Sequence, residues 1–132
     1  MSQVFAADGV STTVSVVLPT SGSVAVITGN FVNPPFQNAK AVVSANAALT
    51  SGSGATNVNL QIRRNPNAEN VVVGQTGNIT VTAAANYAAT VQMTDVIPDA
   101  RPVQYQLVVS QAGATGPGSV YQACIGVLLI SG

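Results

Sequence analysis

Histidine and tryptophan are absent from the 132-residue sequence, and Cys124 is its single cysteine. Without histidine, a Ser–His–Asp triad and His-based acid–base catalysis are excluded, and the usual zinc ligand sets are lost. A single cysteine excludes an intramolecular disulfide. Because Cys124 lies in an apolar run, a buried thiol is the favoured interpretation, and an intermolecular disulfide is the alternative.

Acidic residues number only four. Asp95 and Asp99 flank Ile97 and Pro98, a pattern typical of turn residues. The alternatives are a calcium-binding loop or a glycosidase-like pair, which would need carboxylates that face each other. No Gly-rich phosphate loop opens a helix. The sequence therefore predicts that the protein is not an enzyme and has no catalytic residue, no cofactor and no metal site.

Charge of either sign is scarce, since charged residues make up 6% of the chain and the formal net charge is zero. A typical soluble domain has about 25% charged residues. Surfaces that are neutral and poor in charge tend to associate. Arg63 and Arg64 are adjacent, so in a strand they would point to opposite faces and form no basic patch for nucleic acid. Copies of the same chain are therefore the first partner to expect.

Long apolar runs are also missing. No run reaches the 18 residues that a transmembrane helix needs, so no membrane partner is expected. The N-terminal stretch "MSQVFAADGV" has neither a basic region nor an apolar core followed by a cleavage site, so we expect no secretory signal and assembly in a cytosol.

Short apolar alternations separated by small turn-forming residues run through the chain. Val58, Leu60 and Ile62 share one parity and polar residues the other, as in a strand with one buried face. Residues 103–109 repeat the pattern, and "RNPNAEN" is typical of an exposed hairpin tip. Eight to ten short strands at roughly 8–12-residue spacing predict an all-β protein, an antiparallel β-sandwich or barrel.

The final run, "SVYQACIGVLLISG", is apolar on both parities. A strand of this kind is covered on both faces. One face can pack inside the sandwich, and we expect a neighbouring copy of the protein to cover the other.

The stretches "ACIGVLLISG" and "NVNLQIRRN" resemble the tumour-necrosis-factor-like jelly roll. That family includes complement globular heads and the C-terminal domains of exosporium proteins on bacterial spores. The resemblance implies a jelly roll of eight to ten strands whose last strand lies in the middle of a sheet and lines a trimer axis. It implies subunit-interface roles for Tyr121, Ile125, Val127 and Leu129.

The chain is also similar to jelly-roll subunits that build spore appendage fibres. These are small, poor in charge and led by an extended arm. Here the arm would be residues 1–9 and the jelly-roll domain residues 10–132. Val4 and Phe5 would anchor the arm to an edge strand of the neighbouring subunit.

These observations favour a structural subunit that self-assembles, through its arm and its sheet faces, into a surface fibre of a bacterial endospore. Assembly would occur in the mother-cell cytosol, and an anchoring or tip protein would be a second partner. The alternatives are a phage capsid decoration or fibre-head protein on a virion, and a glycan-binding module.

Overall fold

The computed structural model describes residues 4–13, 15–31, 39–53, 56–81, 86–97, 103–113 and 115–130. Within these ranges every regular element is a strand. This agrees with a sequence that is rich in β-branched residues and poor in charged helix formers. The ten strands are β1 Val4–Thr12, β2 Val16–Leu18, β3 Gly22–Phe31, β4 Ala39–Thr50, β5 Thr56–Arg64, β6 Val71–Gln75, β7 Ile79–Val81, β8 Asn86–Ile97, β9 Val103–Ala112 and β10 Gly118–Ile130.

The strands form two antiparallel sheets that pack face to face. The first sheet has the order β1-β10-β4-β8, and β2 also pairs with β10. The second has the order β3-β9-β5-β6, and β7 also pairs with β5. Early strands pair with late ones in a nested order, β3 with β9 and β4 with β8, around β5 and its short partners. The predicted all-β antiparallel sandwich is confirmed, and its nested pairing is that of a jelly roll.

Alternating side chains of both sheets form the core. The predicted inward residues of β5, Val58, Leu60 and Ile62, are at most 2% exposed. The alternating residues of β9 from Val103 to Val109 are equally buried. On β4 most of the inward side chains are alanines, so larger side chains from the second sheet fill the space between the layers. The period-two pattern of the sequence therefore locates the core correctly.

β10 is an inner strand of the first sheet, with β1 and β2 on one side and β4 on the other. A register shift between Val120 and Gln122 interrupts its alternation. Val120 is consequently buried and Tyr121 exposed. Beyond the shift, odd-numbered residues from Ala123 onward face the core and even-numbered residues face outward. Of the two apolar parities of this strand, only one is therefore covered within the single chain.

The N-terminal segment is a strand of the sandwich. β1 pairs with β10 from Val4 opposite Ile130 to Thr12 opposite Ala123. It runs without interruption across the predicted boundary between an arm at residues 1–9 and a domain at residues 10–132. Residues 1–3 and the side chains of Val4 and Phe5 lie outside the described part of the chain. Pairing of this segment with another copy stays a prediction.

A buried polar network joins the two sheets. Arg63 and Arg64 point to opposite faces of β5, as predicted, and Arg64 is 7% exposed. Its Nη1 lies 2.8 Å from each carboxylate oxygen of Asp95 on β8. The hydroxyl of Tyr105, which is opposite Arg64 on β9, donates a hydrogen bond of 2.7 Å to the same carboxylate. One carboxylate of the first sheet thus binds two side chains of the second.

The prediction that Asp95 is a turn residue is wrong. Asp95 lies within β8, on the inward parity, and is 8% exposed. Its partner Arg64 is 31 residues away, which a local turn pattern does not reveal. Asp99 lies outside the described residues. Burial raises the pKa of the Tyr105 hydroxyl above its ordinary value, and the hydrogen bond to Asp95 raises it further.

Candidate functional site

The most unusual surface of the described chain is the outward side of the first sheet, which we call the outer face. It is formed by the side chains that alternate with the core residues on β10, β4 and β8, together with one residue of β2. The outer face comprises Ser119, Tyr121, Gln122, Cys124, Gly126, Leu128 and Ile130; Lys40, Val42, Ser44, Asn46, Ala48 and Thr50; Asn86, Ala88, Thr90, Gln92, Thr94 and Val96; and Val17.

Large apolar side chains are exposed on the outer face. Val17 is 68% exposed, Val96 48%, Leu128 41% and Tyr121 38%. In the described residues only two other large apolar side chains reach this level of exposure, and neither lies on the outer face. Leu128 stands directly opposite Val42 in the β10–β4 register, so the apolar surface continues across the strands. Contiguous exposed apolar surface on a soluble domain marks an interaction site.

Charge is almost absent from the outer face. Among its side chains, Lys40 is the only charged one, since Asp95 on β8 points inward. Lys40 lies between Ile130 and Val96 in the register of the sheet. The face therefore contains no acid that could pair with this lysine, and it lacks the interspersed charges that keep protein surfaces apart.

The opposite side of the sandwich has a different chemistry. The outward residues of the second sheet are mainly amides and hydroxyls that bond to one another across strands. Gln61 Nε2 donates to Gln75 Oε1 at 3.0 Å, and Gln106 Nε2 donates to the Thr28 hydroxyl at 2.9 Å. Arg63 Nη2 donates to Gln61 Oε1 at 3.1 Å. This polar side is suited to water, so the two sides of the molecule are not equivalent.

The outer face is not flat, because it contains a groove and a neighbouring ridge. Gly9 of β1 lies opposite Gly126 of β10, and Gly126 lies opposite Ser44 of β4. Gly9 and Gly126 line a shallow groove of about 270 Å³ between β1 and β10, together with Val10, Ser11, Cys124 and Ile125, and Ser44 is the small residue beside it on β4. The neighbouring row, Leu128 and Val42, stands above it as a ridge. A ridge beside a groove lets two such surfaces interlock.

Among the described residues, β8 is an edge strand without the usual protection. It pairs with β4 through twelve successive residue pairs without a register shift. It contains no proline, and its one charged residue, Asp95, is turned inward. Proteins usually protect sheet edges with outward lysines, prolines or bulges. The free side of β8 can therefore accept another strand.

The four residues predicted to form a subunit interface are divided by the structure. Tyr121 lies on the outer face. Ile125, Val127 and Leu129 are at most 3% exposed and pack inside the sandwich of the single chain, so a second copy has no access to them while the fold is intact. The residues available instead are those of the other parity, Leu128 among them. In the sequence, only the apolar character of both parities of β10 indicates that a second surface of this strand is available for contact. The sequence does not show which parity faces the core.

Cys124 is partly exposed on the outer face and is a free thiol. The expectation that it is buried is therefore wrong, because the register shift preceding it places it on the outward parity of β10. Within the described residues, no three His, Cys, Asp or Glu side chains come together as a metal ion would need. No helix capable of crossing a membrane was found in the same part of the chain.

No protein-family model matches the sequence, and no curated protein matches it. Among solved structures, the chain is similar to the infectious bursal disease virus VP2 subviral particle, with a TM-score of 0.61 and 8% identity over 95% of this chain and 33% of that chain. For derived T=1 particles of the same virus the TM-score is 0.62 and the identity 10%, over 96% of this chain and 36% of that chain. For the disulfide-linked pili of Bacillus endospore appendages the TM-score is 0.40 and the identity 12%, over 98% of this chain and 89% of that chain. The chain thus spans about a third of the length of the viral chains, and the likeness to them is one of fold.

Proposed function

We propose that this protein is a structural subunit that assembles with copies of itself, and that the outer face is one of its contact surfaces. The observation that carries the proposal is the difference between the two sides of the sandwich. One side exposes Val17, Val96, Leu128 and Tyr121 with a single lysine. The other carries mainly polar groups that bond to one another, beside the exposed Val72.

A fibre needs a second contact, because a face that binds only itself closes into a dimer. The free edge of β8 supports such a contact, since it is long, regular and uncharged. A strand from another copy would add to it through backbone hydrogen bonds. We propose that the N-terminal segment supplies this strand, with Val4 and Phe5 as anchors. β1 is suited to exchange because, within the described part of the chain, it is an edge strand that pairs with β10 alone.

The finer form of the proposal is a surface fibre of a bacterial endospore, assembled in the mother-cell cytosol and attached through an anchoring or tip protein. It rests on the sequence resemblance to spore appendage subunits. The same fold in the VP2 subviral particle supports assembly in general. A virion shell or fibre head is the alternative, and particle shape separates the two. The proposal assigns the chain no catalytic role.

A matched pair of substitutions tests the proposal. Val96 on the outer face and Val72 on the second sheet are 48% and 45% exposed, and each stands opposite a cation, Lys40 or Arg63. Val96→Glu and Val72→Glu therefore make the same change in similar local surroundings. We expect Val96→Glu to abolish assembly, measured by light scattering and negative-stain microscopy, and Val72→Glu to preserve it.

Two results contradict the proposal. One is a wild-type protein that stays a single chain in light scattering at millimolar concentration. The other is an equal effect of the two substitutions, which would mean that added charge, and not the outer face, controls association. Threads in the wild-type sample support the fibre, and closed shells support the virion alternative.

A further inference from the structure

We propose that two copies pair outer face to outer face about a two-fold axis that runs across the strands, over the row formed by Val127, Val43 and Met93. This inference rests on the proposed function and specifies its first contact. The three residues occupy one row of the sheet, because Val127 is opposite Val43 and Val43 is opposite Met93. Rotation about this axis reverses the strand direction. A residue that lies some number of positions to one side of the row therefore faces, in the second copy, the residue of the same strand that lies the same number of positions to the other side.

The axis places ridges over grooves. Leu128 and Gly126 lie one position from the row, on opposite sides of it, so Leu128 of one copy faces Gly126 of the second copy. Val42 faces Ser44 of the second copy in the same way. The large side chain in each pair meets a small one, since Gly126 lines the groove, Ser44 is the small residue beside it, and Leu128 and Val42 form the ridge. Sheets that pack face to face interdigitate in this manner at a separation of about 10 Å.

An axis along the strands would lack this complementarity. It would keep every residue in its own row, so Leu128 and Val42 of one copy would meet the ridge of the other. The grooves would then face each other and stay empty. Empty space and colliding side chains both weaken packing, so the geometry points to the axis across the strands.

The single charge of the outer face also fits this axis. Lys40 lies three positions from the row and faces Asn46 of the second copy, whose amide oxygen can accept a hydrogen bond from the ammonium group. The two Lys40 residues are about 20 Å apart along the strands. That distance exceeds the Debye length of about 8 Å at physiological ionic strength, so their repulsion is small. The second copy thus supplies an acceptor for a cation that has no acid on its own face.

The overlap has the size of a small specific interface. With β1 paired to its own β10, about nine residues along the strands and four strands, β1, β10, β4 and β8, overlap, which at about 3.4 Å per residue and about 4.8 Å per strand gives about 590 Å² per copy. Specific protein interfaces begin at roughly 600 Å² per partner. Tyr121 and Val17 lie beyond the overlap, at the other end of the outer face, and remain available for contacts that extend the assembly.

Cross-linking tests the register. With Cys124→Ser as background, Ser44→Cys and Asn46→Cys each place one thiol on the outer face. The axis separates the two Ser44 positions by about 12 Å and the two Asn46 positions by about 23 Å. A bismaleimide that spans only the shorter separation should join the Ser44→Cys variant into dimers and leave the Asn46→Cys variant unjoined.

Filling the groove is the second test. A β-carbon at Gly9 would lie 3.5 Å from the Ile125 carbonyl oxygen and 3.7 Å from the Gly126 Cα, which is ordinary contact. The β-carbon of Gly9→Leu is therefore tolerated within its own chain, while the rest of the side chain, on the exposed face, fills the space beside Leu128 of the second copy. We expect it to lower cross-linking of the Ser44→Cys variant at least roughly tenfold. Ala25→Leu, on the outward side of the second sheet, is the control and should leave cross-linking unchanged.

The outcomes separate this inference from the proposed function. If particles form but both thiol variants cross-link, or neither does, the proposed two-fold register is wrong. The proposal of self-assembly is unaffected by that result. Unchanged cross-linking in the Gly9→Leu variant also overturns it. Absence of any assembly in the wild-type chain overturns both. Cross-linking of Ser44→Cys alone, lost on Gly9→Leu, supports the pairing.

Discussion

Removing the arginine of the buried network should destabilise the fold, and the chain provides an internal control. Arg63 and Arg64 are adjacent, but only Arg64 is buried, with its Nη1 2.8 Å from each oxygen of Asp95. Arg63 bonds to Gln61 and Asn70 on the surface. We predict that Arg64→Met strongly lowers the free energy of unfolding and that Arg63→Met barely changes it.

The size of the effect follows from what remains around Asp95. Breaking one partner of a buried ion pair costs about 3–5 kcal/mol, because a charge is left buried without compensation. Tyr105 still donates its hydrogen bond to the Asp95 carboxylate, and Arg64 Nε is buried without a partner, so the loss should lie near 3 kcal/mol. A surface substitution such as Arg63→Met usually stays within about 0.5 kcal/mol.

Urea unfolding followed by far-ultraviolet circular dichroism measures the difference. Val96→Glu is a suitable background because it is designed to keep the chain single, which separates folding from assembly. A loss near 3 kcal/mol would lower the urea midpoint by about 2 M at an unchanged slope. Equal midpoints for the Arg63→Met and Arg64→Met variants would refute the reasoning, since they would mean that the buried pair contributes no more than a surface arginine.

Two further predictions concern alkaline stability and the N-terminal segment. Burial and the hydrogen bond to Asp95 raise the pKa of Tyr105 in the folded state. Above about pH 10, therefore, only the unfolded state loses the hydroxyl proton, and the wild-type protein becomes less stable as the pH rises. Its free energy of unfolding should fall by up to about 1.4 kcal/mol per pH unit more steeply than that of Tyr105→Phe. Parallel alkaline urea midpoints would contradict this. Deleting residues 2–8 should leave a folded sandwich by circular dichroism but no filaments in negative stain, because the donor strand is missing; unchanged filaments would exclude the segment from assembly.

The strands and the core could be predicted because a period of two is a local property. Val58, Leu60 and Ile62 were correctly assigned to the interior, and Arg63 and Arg64 to opposite faces. Asp95 was misassigned because its counter-ion comes from another sheet. Such pairing depends on the whole topology.

The candidate site was predicted only in outline for a similar reason. The apolar character of both parities of β10 indicated a second covering surface, but the residues chosen for it included Ile125, Val127 and Leu129 of the core. A register shift near Tyr121 decides which parity faces outward, and no residue type in the sequence marks that shift. The trimer axis implied by the resemblance stays a prediction.

The place of β10 in the first sheet sets the order of events during synthesis. β10 is made after the nine other strands, yet β1, β2 and β4 all pair with it. Until the ribosome has extruded it, the first sheet has no middle, and the ridge that carries Leu128 does not exist. Nascent chains held close together on one messenger RNA therefore lack the β10 part of the outer face, and docking through Leu128 would require a completed first sheet.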